Sequence, residues 1–405
     1  MLGIVLALLL LGFTISAPLT GVLAALGRRV GTLDTPGAAG HAKVLRSIPN
    51  IGGVAIVAAV VGPLAAGLAV FYLAPEQIAE WAPPVAPHLE RAAETRGDWL
   101  VVILGALVLH AMGLYDDRRA LAAWPKLVLQ LGVAVGTVFL SDVRLLHNEL
   151  ANLPAGELAS VLLTVGWIIV IVNAVNFIDN MDGLAGGISA IAALCFMAAT
   201  ILNGQWFIAS ALALLAGALI GFLFWNVPPA GIFMGDGGSL VVGYLLACLA
   251  ARTTFVDATH PDFALGTAWY GVFMPLLVLA IPLYDGVYVT IWRIRRGKSP
   301  FVGGHEHISH RLVKLGLSTR RAVLVLWLLT AVTAMSGIGL GLMRPWQAAL
   351  VGAQLLGIFL VMLILETSVA RGDDLPPAGG WPKPRGDGTA GDGPRAGGGA
   401  PEDPA

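Results

Sequence analysis

Charge is scarce in this chain: 12% of its 405 residues are Asp, Glu, Lys or Arg, about half the share that a water-soluble domain of this length carries. That shortage excludes an ordinary soluble enzyme for most of the length. Cysteine is rarer still. Cys195 and Cys248 both lie inside apolar runs without the paired spacing that binds zinc or runs redox chemistry, so they read as packing residues. No repeat of about 20 to 50 residues is visible, which argues against a solenoid. No basic residue precedes the first apolar run, which opens Met1-Leu2-Gly3 and continues too far before Arg28 and Arg29 for a cleaved leader, so it is expected to stay as a membrane span.

What is abundant is apolar sequence: 57% of the residues are hydrophobic. Runs of roughly 17 to 25 apolar residues, enough to cross the hydrocarbon core, recur up to about residue 367. About eleven spans are expected, at residues 2–26, 51–74, 99–115, 125–141, 158–176, 184–203, 206–225, 238–252, 268–292, 321–341 and 346–367. The expected fold is therefore all-α, a polytopic membrane helix bundle over residues 1–370. From Arg371 to Ala405 the sequence turns to Gly, Pro, Asp and Arg and is expected to be a disordered tail, while the Pro75–Asp98 loop, acidic and rich in proline, has room for a short surface helix.

The formal net charge of −1 says nothing about partners, and nucleic acid is not expected among them. The placement of the basic residues is informative. Alternating loops put about 19 of the 24 Lys and Arg on one side and leave Arg91, Arg96, Arg144, Arg252 and Arg344 on the other. The positive-inside rule then predicts the N-terminus outside and the C-terminus cytosolic, which an odd number of spans satisfies.

Polar residues concentrate in five places, all on the expected cytosolic side, and the acids and histidines among them play no part in that assignment, which rests on Lys and Arg alone. The first is Asp34-Thr35-Pro36 through His41, Lys43, Pro49 and Gly52-Gly53, where Pro and Gly can also be loop punctuation. The second is Gly113-Leu114-Tyr115-Asp116-Asp117 with Lys126 beyond it. Adjacent carboxylates repel, so they suit a site where a cation or proton is shared, with a solvated pair as the plain alternative. The third is Asn173 to Gly183. If helical, Asn176, Asp179 and Asp182 would recur every three residues along one wall rich in oxygen, of the kind magnesium prefers; a polar loop is the other reading. The fourth is Asn226 to Ser239, where Asp236 sits among glycines before a helix whose free amides could meet an anion, or simply caps it. The fifth runs from Arg293 through Lys298 and Phe301 to His305, Glu306, His307, Ser309, His310 and Arg311. Most of its arginines read as topology anchors, and its histidines fit phosphate better than zinc, since no cysteine is near. His110, inside the third span, is expected to make a hydrogen bond between helices.

With these clusters assembled, the chain resembles the polyprenyl-phosphate N-acetylhexosamine-1-phosphate transferase family over nearly all of its membrane part. The resemblance implies about ten or eleven helices around a cytosolic cleft where a UDP sugar meets a lipid phosphate and UMP leaves. It implies that Asp116 and Asp117 handle the lipid phosphate with Lys126 beside them, and that Asn176 and Asp236 hold Mg2+, for which Mn2+ could substitute. Asp179, Asp182 and Asn226 would line the nucleotide and metal site, and His307 and His310 would bind substrate from the last large loop. By this analogy the catalytic set is Asp116, Asp117, Asp179, Asp236 and Lys126. Two positions depart from the family pattern: Asn180 stands where Gly is usual, and Ser309 where His is frequent.

Family members that use UDP-MurNAc-pentapeptide carry consecutive histidines in this loop, whereas here it reads His307-Ile308-Ser309-His310-Arg311-Leu312. The chain is thus more similar to the branch that starts O-antigen, teichoic acid or exopolysaccharide carriers with an N-acetylhexosamine, GlcNAc being the first choice. The resemblance implies a bacterial plasma-membrane enzyme with UDP-N-acetylhexosamine, polyprenyl phosphate and membrane lipids as partners, and leaves a homodimer open. A secondary transporter or flippase is the competing class, but transporters keep ionisable residues near the bilayer midplane, and here the acids gather at span ends.

Overall fold

The computed structural model describes residues 1–30, 48–89, 94–151, 153–253, 269–299, 304 and 306–372, and among these every regular element is helical. Backbone in lipid has no water to bond, so a chain this apolar closes its hydrogen bonds within helices. The long helices are α1 (Leu2–Val30), α2 (Gly52–Leu73), α4 (Arg96–Arg118), α5 (Ala123–Leu140), α6 (Gly156–Ile178), α7 (Leu184–Leu202), α8 (Trp206–Asn226), α9 (Asp236–Thr253), α11 (Ala280–Arg295), α13 (Thr319–Ile338) and α14 (Pro345–Gly372). Between them lie the short helices α3 (Pro75–Trp81), α10 (Met274–Val278) and α12 (Ile308–Lys314). A 3-10 turn over Pro83–His88 follows α3, so the expected surface helix of that loop is present.

Each of the eleven expected spans lies largely on helix in its described residues. Among the described residues, nine helices are long and apolar enough to cross a membrane, or ten if one bent pair counts as a single span. The bent pair corrects the expectation of a straight ninth span over 268–292: Tyr270–Val278 and Ala280–Arg295 meet at 73°. Proline explains the break. Pro282 has no N–H to give the carbonyl of Val278 and its ring would collide with that carbonyl, so a helix ending at Val278 restarts two residues later with Pro282 in its first turn. The other expected span outside that count is α9, whose polar ends dilute an 18-residue helix.

That helix is the axis of the bundle. Every residue of α9 except Asp236 and Arg252 is buried, and α2, α4, α6, α7 and α8 pack around it. An all-round apolar helix needs such a jacket. The outer helices turn large side chains outward, among them Leu10, Leu104, Phe139, Leu162, Leu328 and Leu360, as a lipid-facing rim does. Cys195 and Cys248 are buried free thiols, as expected.

Helices α4 and α9 run antiparallel and are pinned at both ends. At one end Arg252 Nη1 donates to Asp98 Oδ2 at 2.7 Å, and Asp98 Oδ1 also accepts from the Asp142 amide at 3.1 Å. At the other end lie Asp116, Asp117 and Asp236, about 27 Å away by helical rise, close to the thickness of a hydrocarbon core. Removing one partner of a hydrogen-bonded charge pair leaves the other unsatisfied, so Arg252→Ala is expected to lower stability by about 1–3 kcal/mol. The thermal unfolding midpoint in detergent measures it, and an unchanged midpoint would contradict the pinning role.

Candidate functional site

The site is assembled where α4 ends and α9 begins. The two backbones touch because residue 113 is glycine: a Cβ there would fall 2.4 Å from the Asp236 carbonyl carbon. Four residues later Asp117 turns its carboxylate onto the start of α9. Oδ1 accepts from the Asp236 amide at 3.1 Å and from Asn50 Nδ2 at 2.8 Å, and Oδ2 accepts from the Gly237 amide at 3.1 Å. The first amides of a helix have no partner inside it and form its positive end, so a carboxylate from another helix satisfies both needs. His110, one helical turn before Gly113, meets the Gly237 carbonyl through Nδ1 at 2.6 Å, the hydrogen bond between helices expected from its position in the span.

Asp116 faces the other way. Its Oδ1 accepts from the Leu121 amide at 2.6 Å, and its Oδ2 is paired with Lys126 Nζ at the start of α5. The same ammonium lies 3.4 Å from Asp236 Oδ2, while Asp236 Oδ1 accepts from Asn176 Nδ2 at 2.9 Å; that amide also reaches Ser239 Oγ at 2.9 Å. One turn deeper Asn173 Nδ2 donates to Gln130 Oε1 at 2.7 Å, which continues the polar seam between α6 and α5. Gln130 was missed in the sequence, where it reads as one polar residue in an apolar helix.

The third cluster departs from its helical reading. Helix α6 stops at Ile178, so Asn176, Asp179 and Asp182 do not form one wall by helical periodicity. Asp179 follows the last turn, and Asp182 Oδ2 accepts from the Ala230 amide at 3.1 Å. Asn226, buried at the end of α8, accepts from the Gly183 amide at 2.9 Å and donates to the Ile232 carbonyl at 2.8 Å. Asp182 and Asn226 thereby fasten the 179–183 turn to the 226–232 loop.

The histidine segment folds over the same end. Ser309 Oγ donates to Asn180 Oδ1 at 2.6 Å, and the His307 ring lies 6.4 Å from that of Phe177. His307 is buried with Nδ1 2.7 Å from Asp285 Oδ2, a partner the sequence reading did not single out because it sits inside an expected span. His310 is half-buried on the first turn of α12. Arg311 donates through Nε to the Glu306 carbonyl at 2.8 Å and through Nη1 to Tyr288 Oη at 3.1 Å, and Arg293 Nη2 donates to Glu306 Oε2 at 3.1 Å. Burial pushes the Glu306 carboxyl up, but the hydrogen bond and charge of Arg293 outweigh it and hold the group below its ordinary range. Arg293 and Arg311 thus hold the segment together.

Four of the five clusters therefore meet at one end of the bundle, and the described part of the first, Asn50 with Gly52 and Gly53, joins them: the Gly52 and Gly53 amides donate to the Phe233 and Met234 carbonyls, each at 2.9 Å. Asp34, Pro36, His41, Lys43, Phe301 and His305 lie outside the described residues. Arg28 and Arg320 bond the Gly231 and Pro228 carbonyls at this same end. Chemically, three carboxylates crowd beside an amide and a helix N-terminus, with one ammonium between two of them, an arrangement suited to a cation and phosphate together.

Comparison with known proteins gives a matching picture. Residues 99–254, which hold the second, third and fourth clusters, match the family described as Glycosyl transferase family 4. Over 353 residues, 86% of each chain, the protein is 29% identical to a probable undecaprenyl-phosphate N-acetylglucosaminyl 1-phosphate transferase of Bacillus subtilis. It is 32% identical over 293 residues to a decaprenyl-phosphate N-acetylglucosaminephosphotransferase of Mycolicibacterium smegmatis, covering 68% of this chain and 70% of that one. An undecaprenyl-phosphate alpha-N-acetylglucosaminyl 1-phosphate transferase of Escherichia coli K12 is 26% identical over 77% of both chains.

Because the α4–α9 contact leaves no room for a side chain, Gly113→Ala is expected to force the two helices apart and lower stability by about 1–3 kcal/mol. Ala in place of the partly exposed Gly136, whose added Cβ meets nothing within 4 Å, serves as the control and should unfold like the wild type. Equal midpoints for all three proteins would contradict the close approach.

Proposed function

The chain belongs to glycosyl transferase family 4, in the branch of polyprenyl-phosphate N-acetylhexosamine-1-phosphate transferases, and from that membership we propose that it moves N-acetylglucosamine 1-phosphate from UDP-GlcNAc to a polyprenyl phosphate and releases UMP. The observation that carries the reading is Asp236. It stands at a helix N-terminus between the Asn176 amide and the Lys126 ammonium, with Asp116 and Asp117 alongside.

In the proposed reaction an oxygen of the lipid phosphate attacks the phosphorus that bears the sugar. The bond from that phosphorus to the oxygen bridging it to UMP breaks, and the electron pair leaves with UMP. Little covalent work falls to the protein in such a transfer, so positioning and charge neutralisation dominate. A phosphate monoester, with a second pKa of about 6, is largely dianionic at neutral pH and needs little help from a general base. Asp117 accordingly serves as the residue that holds Asp236 in place, Lys126 offsets charge on the phosphates, and Asp116 orients Lys126.

Among the described residues no group of three or more His, Cys, Asp or Glu is set to hold a metal, which speaks against an all-protein cage. Magnesium does not ask for one: it keeps waters and takes one or two protein oxygens besides substrate phosphates. One carboxylate, Asp236, next to one amide side chain, Asn176, is a donor set of that size, once the amide turns its oxygen inward. When bound, the ion would supply charge neutralisation at the diphosphate. We also assign this end of the bundle to the cytosolic face of a bacterial plasma membrane, on the strength of the Lys and Arg bias in the loops.

Membranes containing the protein, incubated with UDP-GlcNAc, magnesium and undecaprenyl phosphate, are expected to release UMP, and EDTA should stop it. UDP-MurNAc-pentapeptide should not replace the donor. Asp236→Ala and Asp117→Ala should each cut release by about a thousandfold while the protein still inserts. Near-normal release from Asp236→Ala would remove the metal assignment.

A further inference from the structure

Among the described residues, the proposed reaction leaves a buried carboxylate unused. Asp285 is fully buried in the middle of α11, in the otherwise apolar-aromatic stretch Ile281 to Tyr288. Both of its oxygens are committed to the histidine segment: Oδ2 lies 2.7 Å from His307 Nδ1, and Oδ1 accepts from the Ile308 amide at 2.9 Å, the first residue of α12. A carboxylate taken this far from water is costly, and an apolar side chain packs there at less expense. Its presence calls for a purpose that an apolar residue cannot serve.

Chemistry narrows that purpose. An ionised carboxylate only accepts, so Nδ1 of His307 must carry a proton, and the ring is held in one orientation with Nε2 as its remaining polar atom. The segment that carries the ring is fixed over the end of α6 on both sides of Asp179. Phe177 lies against the imidazole on one side, and Asn180 takes the Ser309 hydroxyl on the other. Asn176, which bonds Asp236, is the neighbour of Phe177 in the chain. The imidazole is thereby tied to the same short turn that ends at the acidic cluster.

We propose that Asp285 is a positioning residue of the transferase site, which locks His307 so that Nε2 meets an anionic oxygen of the sugar nucleotide's diphosphate. This rests on the function proposed above. With Nδ1–H engaged by Asp285, Nε2 donates to the phosphate oxygen when the ring carries its second proton, and Asp285 then supplies the balancing charge. The contribution grows as charge develops on the departing UMP, so it belongs to turnover more than to donor binding.

Steady-state UMP release by the purified full chain tests this, using Asp285→Asn, His307→Gln and the double variant. Asp285→Asn keeps an oxygen for the Ile308 amide but loses the charge and the demand for a proton on Nδ1. It is expected to lower kcat by about tenfold or more while KM for UDP-GlcNAc shifts by less than about threefold. Added to His307→Gln, it should cost nothing further, because it acts through the ring. Wild-type kcat in Asp285→Asn would overturn the proposal, and so would an equal further fall in the His307→Gln background. If Asp285→Asn does not fold, His307→Gln still decides: unchanged kcat there removes the group through which Asp285 is said to act. A wild-type chain that releases no UMP sinks the proposed function instead.

Discussion

The carboxylate of Asp117, set against the first two amides of the central helix, is the contact on which the rest of the site depends. Helix α9 is jacketed on all sides by apolar neighbours, so its bare N-terminus has few ways to be satisfied except through another segment's side chain. Asp117 meets that need and brings Asn50 with it, which ties together the ends of α4 and α9 and the entry to α2. Asp236 is the first residue of the helix so capped, and its carboxylate inherits a fixed position. The Arg252–Asp98 pair at the far end keeps the two helices from sliding against each other.

Around that anchor the charges are deliberately out of balance. Asp116, Asp117 and Asp236 crowd together with Lys126 as the ammonium between two of them. Like charges in a place of low polarity repel strongly, and the excess is eased by backbone amides and by Asn176. On the proposed reading, a site in this condition would gain from a divalent cation, and a cation held there would favour a diphosphate. The same imbalance fits a reaction whose main demand is to gather negative oxygens and neutralise them.

Hydropathy and chain length made the helices legible in the sequence, since a bilayer leaves the backbone no alternative, and the basic loops made it legible that the acidic clusters share one face. What could not be read was anything that depends on where a helix stops or on which distant residues touch. The triplet spacing of Asn176, Asp179 and Asp182 invited a helical wall, yet α6 ends at Ile178 and the last two belong to a turn fastened by Asn226. The kink before Pro282 was visible as a proline but hidden within an apolar run. Asp285 and Gln130 looked like isolated polar residues of two spans, and only the packing of α11 under α12 and of α5 against α6 gives them partners. The two departures from the family pattern, Asn180 and Ser309, turn out to bond each other, a coupling that no local pattern announces.

In the proposed function Asp236, as held by Asp117 and Asn176, grips the sugar nucleotide through a divalent ion. Calorimetric titration of the purified protein with UDP-GlcNAc, in magnesium and in EDTA, for wild type and Asp236→Asn, measures this without turnover. Wild type is expected to bind in magnesium at least about tenfold more tightly than in EDTA, a difference of about 1.4 kcal/mol, and Asp236→Asn to bind equally weakly in both. Equal affinity of the wild type with and without the ion, or a full magnesium effect in Asp236→Asn, would contradict it.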